Sequence, residues 1–473
     1  MRSSPDPELA ALDAALAQRP DHAELHYCRA ARLMQTGRLE EAKQGFLAAL
    51  SLAPTHFGAL NDLGTLLHRT DFRTAARTAY AEAVKHHPDK AIGRINLGNA
   101  LLANGEIDAA RTEFEAAIRL EPGHPDAHQG LANLLQHIGE ADAAEAQRRL
   151  SYKGRAPTTA PYRGEGPPCR VLVLMSAVGG NVPTRFVLDD TVFETTALVV
   201  EAFTPETTLP DHDVVFNAVG DADLCAAALD HAERVLAQTT APVINPPDRV
   251  RPTGRAENAR RLASLLGVVA PRVELAPRDG IEARAAAFGY PLLLRSPGYH
   301  TGQHFKRVES AADLLAAAAD LPGQEILMIQ YLDARDAQGC ARKYRVMMIG
   351  GALLPLHLAI STDWKVHYFT ADMADRPEHR AEEEAFLNDM PAVLGPRAMA
   401  ALAHIQDALG LDYAGVDFGL ARNGDLLLFE ANATMVVNPP PPEPIWDYRR
   451  PAVERILAAA QEMTLTRSRA ARV

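Results

Sequence analysis

The chain has 473 residues, 47% hydrophobic and 23% charged, which suits two or three folded domains and excludes a disordered polypeptide. A formal net charge of −12 argues against a broad nucleic-acid-binding face while leaving room for a local basic groove. Four cysteines, Cys28, Cys169, Cys225 and Cys340, make no C-x-x-C pair and no zinc-type spacing, so free thiols in a reducing compartment are expected. Residues 1–16 lack the basic start and apolar run of a signal peptide, and no run of about 18 apolar residues occurs. A cytoplasmic protein that touches neither membrane nor nucleic acid is expected.

In the first third, Pro20, Pro54, Pro88 and Pro122 are each 34 residues apart, the period of a two-helix repeat. Between them, small residues recur at fixed offsets: Ala30, Gly64, Gly98 and Ala132 in a first helix, then Ala42, Ala76, Ala110 and Ala144 in a second. Small side chains there permit close helix approach. Phe46, Tyr80 and Phe114 follow four positions after three of the second-helix alanines and complete an apolar stripe, whereas Arg148 takes the fourth place and reads as a polar cap. These residues resemble the tetratricopeptide-repeat family over roughly residues 5–150. The resemblance implies an all-α superhelix over residues 1–154 that binds a peptide or protein, with Tyr27, Asn61, Asn96, Asn99 and Asn133 as candidate lining residues.

Residues 155–168 (RAPTTAPYRGEGPP) show no periodicity and read as a linker. Beyond them, RVLVLM at 170–175 is a buried-strand run followed by the loop SAVGGNVP, whose Gly180 and Asn181 sit where ligands gather in α/β sheets. Short apolar runs alternating with helical stretches up to residue 250 predict a small parallel sheet. The loop lacks G-x-G-x-x-G, which disfavours a dinucleotide-binding dehydrogenase. From residue 251 to 465 the order changes, with a hairpin subdomain at about 289–332. There the strand PLLLR, a loop bearing Gly298, Thr301 and Gly302, and a strand carrying Lys306 offer backbone and side-chain donors to an anion. Residues 466–473 read as a frayed tail.

The strongest chemical signal is DYAGVDFGLARNGDLLLFEANAT at 412–434. If Asn423 and Gly424 are the two loop residues of a type I′ turn, Asp417 falls opposite Glu430, and Asn432 shares their face. Two opposed carboxylates in an apolar hairpin repel one another. A hard divalent cation with oxygen ligands would remove that cost, which makes Asp417, Glu430 and Asn432 candidate ligands for Mg²⁺, with Mn²⁺ able to substitute.

Together, PLLLRSPGYHTGQHFKRV, ILMIQYLDARD, RKYRVMMIGG and the carboxylate hairpin resemble the ATP-grasp superfamily of carboxylate–amine and carboxylate–thiol ligases, over about residues 169–463. The resemblance implies a multidomain chain in which the superhelix is followed by an α/β–α+β ATP-grasp unit with a small parallel-sheet pre-domain. It implies ATP and Mg²⁺ as cofactors, Gln330, Tyr331 and Leu332 at adenine, Asp333 or Asp336 at ribose, and Arg345 at phosphate or the acyl phosphate. Arg295 stands where the family often has lysine, and Arg255 is a candidate for an earlier basic contact. His357, Lys365, His367 and Tyr368 are candidate substrate groups, the substrate being a small-molecule or peptide carboxylate. The expected activity is ATP-dependent ligation through an acyl phosphate. The alternatives are phosphotransfer at the same site, or a nucleotide-binding scaffold whose working part is the repeat array.

Overall fold

The computed structural model describes residues 6–70, 72–297, 304–366 and 371–470. It divides into two compact units, residues 1–153 and 154–473.

The first unit opens with α1 (Pro7–Gln18), whose N-cap Asp6 accepts bonds from the Glu8 and Leu9 amides. Antiparallel helix pairs follow: α2 (Ala23–Gln35) with α3 (Leu39–Leu52), α4 (Phe57–Arg69) with α5 (Arg73–His86), α6 (Ala91–Ala103) with α7 (Ile107–Leu120), and α8 (Pro125–His137) with α9 (Ala141–Tyr152). The C-caps Arg19, Ala53, His87 and Glu121 each stand one residue before a repeat proline, which cannot continue a helix. Ala30, Ala42, Ala76, Ala110, Ala132 and Ala144 are fully buried. The glycines are required by the aromatics: a Cβ on Gly64 would lie 2.6 Å from the Tyr80 ring, and one on Gly98 would lie 2.8 Å from Phe114. Arg148, in the place of the aromatic, is buried and donates to Glu145.

The described residues of the second unit hold three sheets. The first comprises β1 (Thr158–Thr159), β2 (Cys169–Met175), β3 (Phe193–Val199), β4 (Val214–Asn217) and β5 (Val243–Ile244) in the order β1-β3-β2-β4-β5. Its last four strands are parallel, and β1 joins antiparallel to β3. The segment read as a linker therefore supplies an edge strand. Next come α10 (Ala226–Leu236), α11 (Pro247–Val250) and α12 (Arg255–Leu262), then β6 (Val268–Val269), β7 (Val273–Pro277), α13 (Ile281–Ala285), β8 (Leu292–Arg295), β9 (Phe305–Val308), α14 (Leu314–Ala319) and β10 (Glu325–Gln330). Four of these strands form an antiparallel sheet ordered β7-β10-β8-β9.

The chain closes with β11 (Ala341–Ile349), β12 (Ala352–Ser361), α15 (Pro377–Asn388), α16 (Met390–Leu409), β13 (Tyr413–Leu420), β14 (Leu426–Asn432) and α17 (Arg450–Ala470). The third sheet runs β12-β11-β13-β14-β6. Residues 466–470 of the predicted tail lie instead in the last turns of α17. Thr464 and Ser468 can be buried there because their hydroxyls bond the Ala460 and Leu465 carbonyls, and Arg467 pairs with Asp412.

The hairpin of β13 and β14 places Asp417 opposite Glu430 and Gly415 opposite Asn432. Its turn is not the two-residue type I′. Among the described non-glycine residues only Asn245 and His304 have positive φ, so Asn423 does not adopt the conformation that type I′ demands. Gly424, at φ 83°, is left-handed, and its amide donates to the Ala421 carbonyl. The loop is therefore one residue longer, and pairing near it runs Leu420 to Leu426 and Phe418 to Leu428. A bulge at Phe429 then restores the register at the carboxylates. Two one-residue departures cancel where the chemistry sits.

Candidate functional site

Period-two alternation builds the site. On β8, Leu292 and Leu294 are fully buried in the core of the four-stranded sheet, so Leu293 and Arg295 face the other way, into a cavity of about 440 Å³. On β13, Val416 and Phe418 enter the main core and Asp417 takes the opposite face. Across the third sheet, Glu430 pairs with Asp417, Asp417 with Arg345, and Arg345 with His357. Four ionisable side chains thus form one lateral row on β14, β13, β11 and β12, spanning roughly 14 Å at about 4.8 Å per strand.

Cations neutralise this row. Arg345 forks onto Asp417 with contacts of 2.5 and 2.7 Å, and Lys343 approaches the same carboxylate at 3.2 Å. Arg255 donates to Glu430 at 2.6 Å, and the Asn432 amide donates to the same oxygen at 2.9 Å. Burial alone would raise the Asp417 carboxyl, but the Arg345 guanidinium and the Lys343 ammonium outweigh it and hold it well below the usual range. Glu430 is lowered in the same way against its burial, chiefly by Arg255 and Arg295. Burial, then the Arg255 charge, pushes Arg295 down to about 10, still cationic at neutral pH. His357, buried and beside Arg345, is held well below 6.5 and is neutral. The opposed carboxylates are therefore compensated by arginine and lysine, and their opposition does not by itself demand a metal ion.

Among the described residues no three or more His, Cys, Asp and Glu side chains gather as a metal set. Two carboxylates and an amide still fit Mg²⁺, which keeps several waters and takes few protein ligands. Glu430, 27% exposed, and Asn432 line the cavity. Asp417, 5% exposed, lies beneath Arg345.

The structure brings most of the predicted residues together. Arg255, Arg295, Gln330, Tyr331, Leu332, Arg345, His357, Lys365, Asp417, Glu430 and Asn432 all line the cavity. Other predicted residues are placed elsewhere. Lys306 sits opposite Leu294, on the far face of β9, and pairs with Asp320, because it is Phe305 whose parity points into the cavity. Asp333 is turned to Arg335, with contacts of 2.8 and 2.6 Å. Gly180 and Asn181 organise their own loop: the Gly180 carbonyl accepts from Gly220 and Asp221, and the Asn181 side chain bonds both the amide and the carbonyl of Ser176. Gly298, Thr301, Gly302, His367 and Tyr368 lie outside the described residues.

Sequence reasoning missed Leu293, Phe305, Trp364, Lys343 and Arg449, which also line the cavity. Strand parity around Arg295 and Arg345 could have found Leu293 and Lys343. Phe305 and Trp364 meet at a tilt with ring centroids 5.5 Å apart, and Trp364 also meets Tyr331 edge-on at 6.5 Å.

Comparison with known proteins reaches the helical unit. The family description "Tetratricopeptide repeat" matches residues 61–125 and 95–157. No curated protein matches the chain. Among solved structures, MamA is 23% identical, covering 30% of this chain and 84% of its own with a TM-score of 0.28. TTC0263, a thermophilic TPR protein of Thermus thermophilus, is 23% identical over 30% of this chain and 79% of its own, with a TM-score of 0.27. YrrB, described as a TPR protein with an unusual peptide-binding site, is 24% identical over 30% of this chain and 74% of its own, also with a TM-score of 0.27. No described helix is long and apolar enough to cross a membrane. Period, packing and family match agree that the chain carries tetratricopeptide repeats.

Proposed function

We propose that residues 154–473 form an ATP-grasp-like ligase that activates a carboxylate with Mg²⁺ and ATP, and that the repeats bring a peptide or protein partner to the enzyme. The observation that carries this reading is the character of the cavity. Among the described residues lining it, Asp417 and Glu430 are the only carboxylates, against five arginines and two lysines, which favours an anionic ligand. Leu293, Phe305, Ile329 and Tyr331 add an apolar and aromatic wall. A flat apolar base carrying a polyphosphate matches both features, and about 440 Å³ lies within the usual range for small-ligand pockets.

In this reading the purine lies against Leu293 and Ile329, within reach of the 330–332 backbone, and Arg255 and Arg295 meet the phosphates. Asp417, Glu430 and Asn432 would hold the metal ion, which supplies charge neutralisation among the phosphate oxygens. The acid's carboxylate oxygen attacks the γ-phosphorus and ADP leaves. An amine or thiol then attacks the acyl carbon of the mixed anhydride, and phosphate departs as the nucleophile gives up its proton. Arg345, fixed by Asp417, presents a fork to the phosphoryl oxygens as charge redistributes.

Calorimetry with Mg·ATP tests the reading. The folded protein is expected to bind. Arg295→Met is expected to weaken binding at least about tenfold, the scale of a lost charge-assisted contact. Glu430→Gln is expected to remove the magnesium dependence. Absence of nucleotide binding by the folded native protein would overturn the assignment.

A further inference from the structure

Three aromatic rings close one edge of the cavity. Phe305 opens β9, Tyr331 directly follows β10, and Trp364 lies three residues beyond the end of β12. All three line the cavity and all are half-buried, so each stands between its interior and water. Phe305 and Tyr331 are held on the side of the four-stranded sheet, where Arg295 lies 5.7 Å from the Phe305 ring centroid and Arg307 lies 4.4 Å from that of Tyr331. Trp364 comes from the other wall. Its loop is shaped by two local bonds of 3.1 Å, from the Asp363 amide to Ser361 Oγ and from the Lys365 amide to Asp363 Oδ1. The loop carries the indole across to both rings, tilted against Phe305 and edge-on to Tyr331.

This contact belongs to neither core. The four-stranded sheet buries Leu292, Leu294, Ile326 and Met328 in a cluster of its own, and the sheet that bears the carboxylates buries Tyr344, Val346, Val416 and Phe418 in another. Among the described residues the two sheets share no strand, and none of the three rings packs into either cluster. Two bodies with separate cores are free to hinge about the cavity between them. Tilted and edge-on ring pairs attract beyond the apolar area they bury, so Trp364 ties one wall to the other.

We propose that Trp364 is a latch: packed on Phe305 and Tyr331 it holds the two walls together, and a ligand enters or leaves the cavity when the indole swings off them. The proposal rests on reading the cavity as a nucleotide site, and it adds the step that controls access to it. A latch that must open for entry and for exit slows both and leaves the affinity nearly unaltered. A ring that stacks on the ligand itself slows exit alone.

Stopped-flow fluorescence tests this on the full chain with the magnesium complex of N-methylanthraniloyl-ATP as the probe, its emission followed on binding and on chase with excess Mg·ATP. Trp364→Leu is expected to speed entry and exit alike by about tenfold, the scale of two lost ring contacts. The dissociation constant should stay within about twofold, because both rates move together. Trp364→Phe, which keeps a ring, should recover part of the change. Faster exit with unaltered entry would make Trp364 a ligand contact, and two unaltered rates would make the rings static packing; either result overturns the proposal. Acrylamide quenching reads the same contact without nucleotide. The chain has two tryptophans, so Trp446→Phe leaves Trp364 as its one indole. In that background, Phe305→Leu with Tyr331→Leu should raise the quenching constant at least about twofold as the indole loses its cover. An unaltered constant in the folded variant overturns the latch. Quenching that responds in a protein that binds no nucleotide rejects the nucleotide reading alone, whereas nucleotide binding with unaltered rates rejects this inference alone.

Discussion

The two units use charge in opposite ways. In the helical unit, many ion pairs are wet: Arg38 meets Glu41 three positions away, with both side chains about half exposed, and Arg29 meets an Asp13 that is 56% exposed, although Arg94 and Glu113 pair at 19% and 18% exposure. In the second unit, the pairs that shape the cavity join residues far apart in the chain and are largely withdrawn from water. Arg345 and Asp417 are 72 positions apart, Arg449 and Glu383 are 66, and Arg255 and Glu430 are 175. The first pattern decorates a structure that neighbouring helices hold by apolar packing. The second fixes polar groups in a sheet interior, where loss of one partner leaves a buried charge unpaired. The exposed pairs of the array contribute little to its stability, whereas the buried pairs around the cavity are costly to break.

The largest expected effect breaks that contrast if it fails. Arg345→Met should destabilise the second unit by about 3–5 kcal/mol, whereas Arg29→Met in the array should cost less than about 1 kcal/mol. Urea unfolding followed by hydrogen exchange, which separates the units, checks both. The same carboxylates set a pH signature. Asp417 and Glu430 are lowered in the folded state from ordinary values of 3.8 and 4.5, so the stability they contribute is fully present above those values and is lost as pH falls below them. Acid unfolding of the second unit should therefore steepen below about pH 4.5, and Glu430→Gln should flatten it. A profile equally steep in the variant would place the titrating groups elsewhere.

In the array the sensitive contacts are steric. Gly98→Val should cost about 1–3 kcal/mol, because the new side chain meets the Phe114 ring and one turn cannot yield without its neighbour. Gly105→Ala, at φ 78° with open space around the Cβ, should cost about 1–2 kcal/mol from backbone strain alone. Loss of helical circular dichroism in urea ranks the two. A larger loss at Gly105 would mean that turns, and not interhelical packing, govern the array.

The same contrast explains what the sequence discloses. A repeat writes each packing contact several times at a fixed spacing, so Gly64 and Gly98 could be paired with Tyr80 and Phe114 from offsets alone. Strand alternation likewise marks the facing residues of one hairpin, which is why Asp417, Glu430 and Asn432 were legible together. Nothing local marks Arg449 as a cavity residue, since DYRRP reads as ordinary surface and its partner lies on a different helix. The pairing of residues 158–159 and the packing of the last turns of α17 were hidden for a related reason: short polar segments acquire a place only when a distant strand edge or a pair such as Arg467 and Asp412 receives them.

The smallest expected effect bears on that legibility. The dipeptide Asn423-Gly424 suggests a two-residue turn, but the structure gives the left-handed conformation to Gly424 and not to Asn423, and it sets the register with a bulge at Phe429. Gly424→Ala should therefore cost about 1–2 kcal/mol, while Asn423→Ala, which loses only exposed contacts with Asp425, should cost under about 1 kcal/mol. In a type I′ turn both positions would be left-handed, and the two substitutions would cost comparable amounts. Equal losses in urea would restore the shorter turn. With the Phe429 bulge unchanged, that turn would slip the pairing by one residue and turn Glu430 away from Asp417.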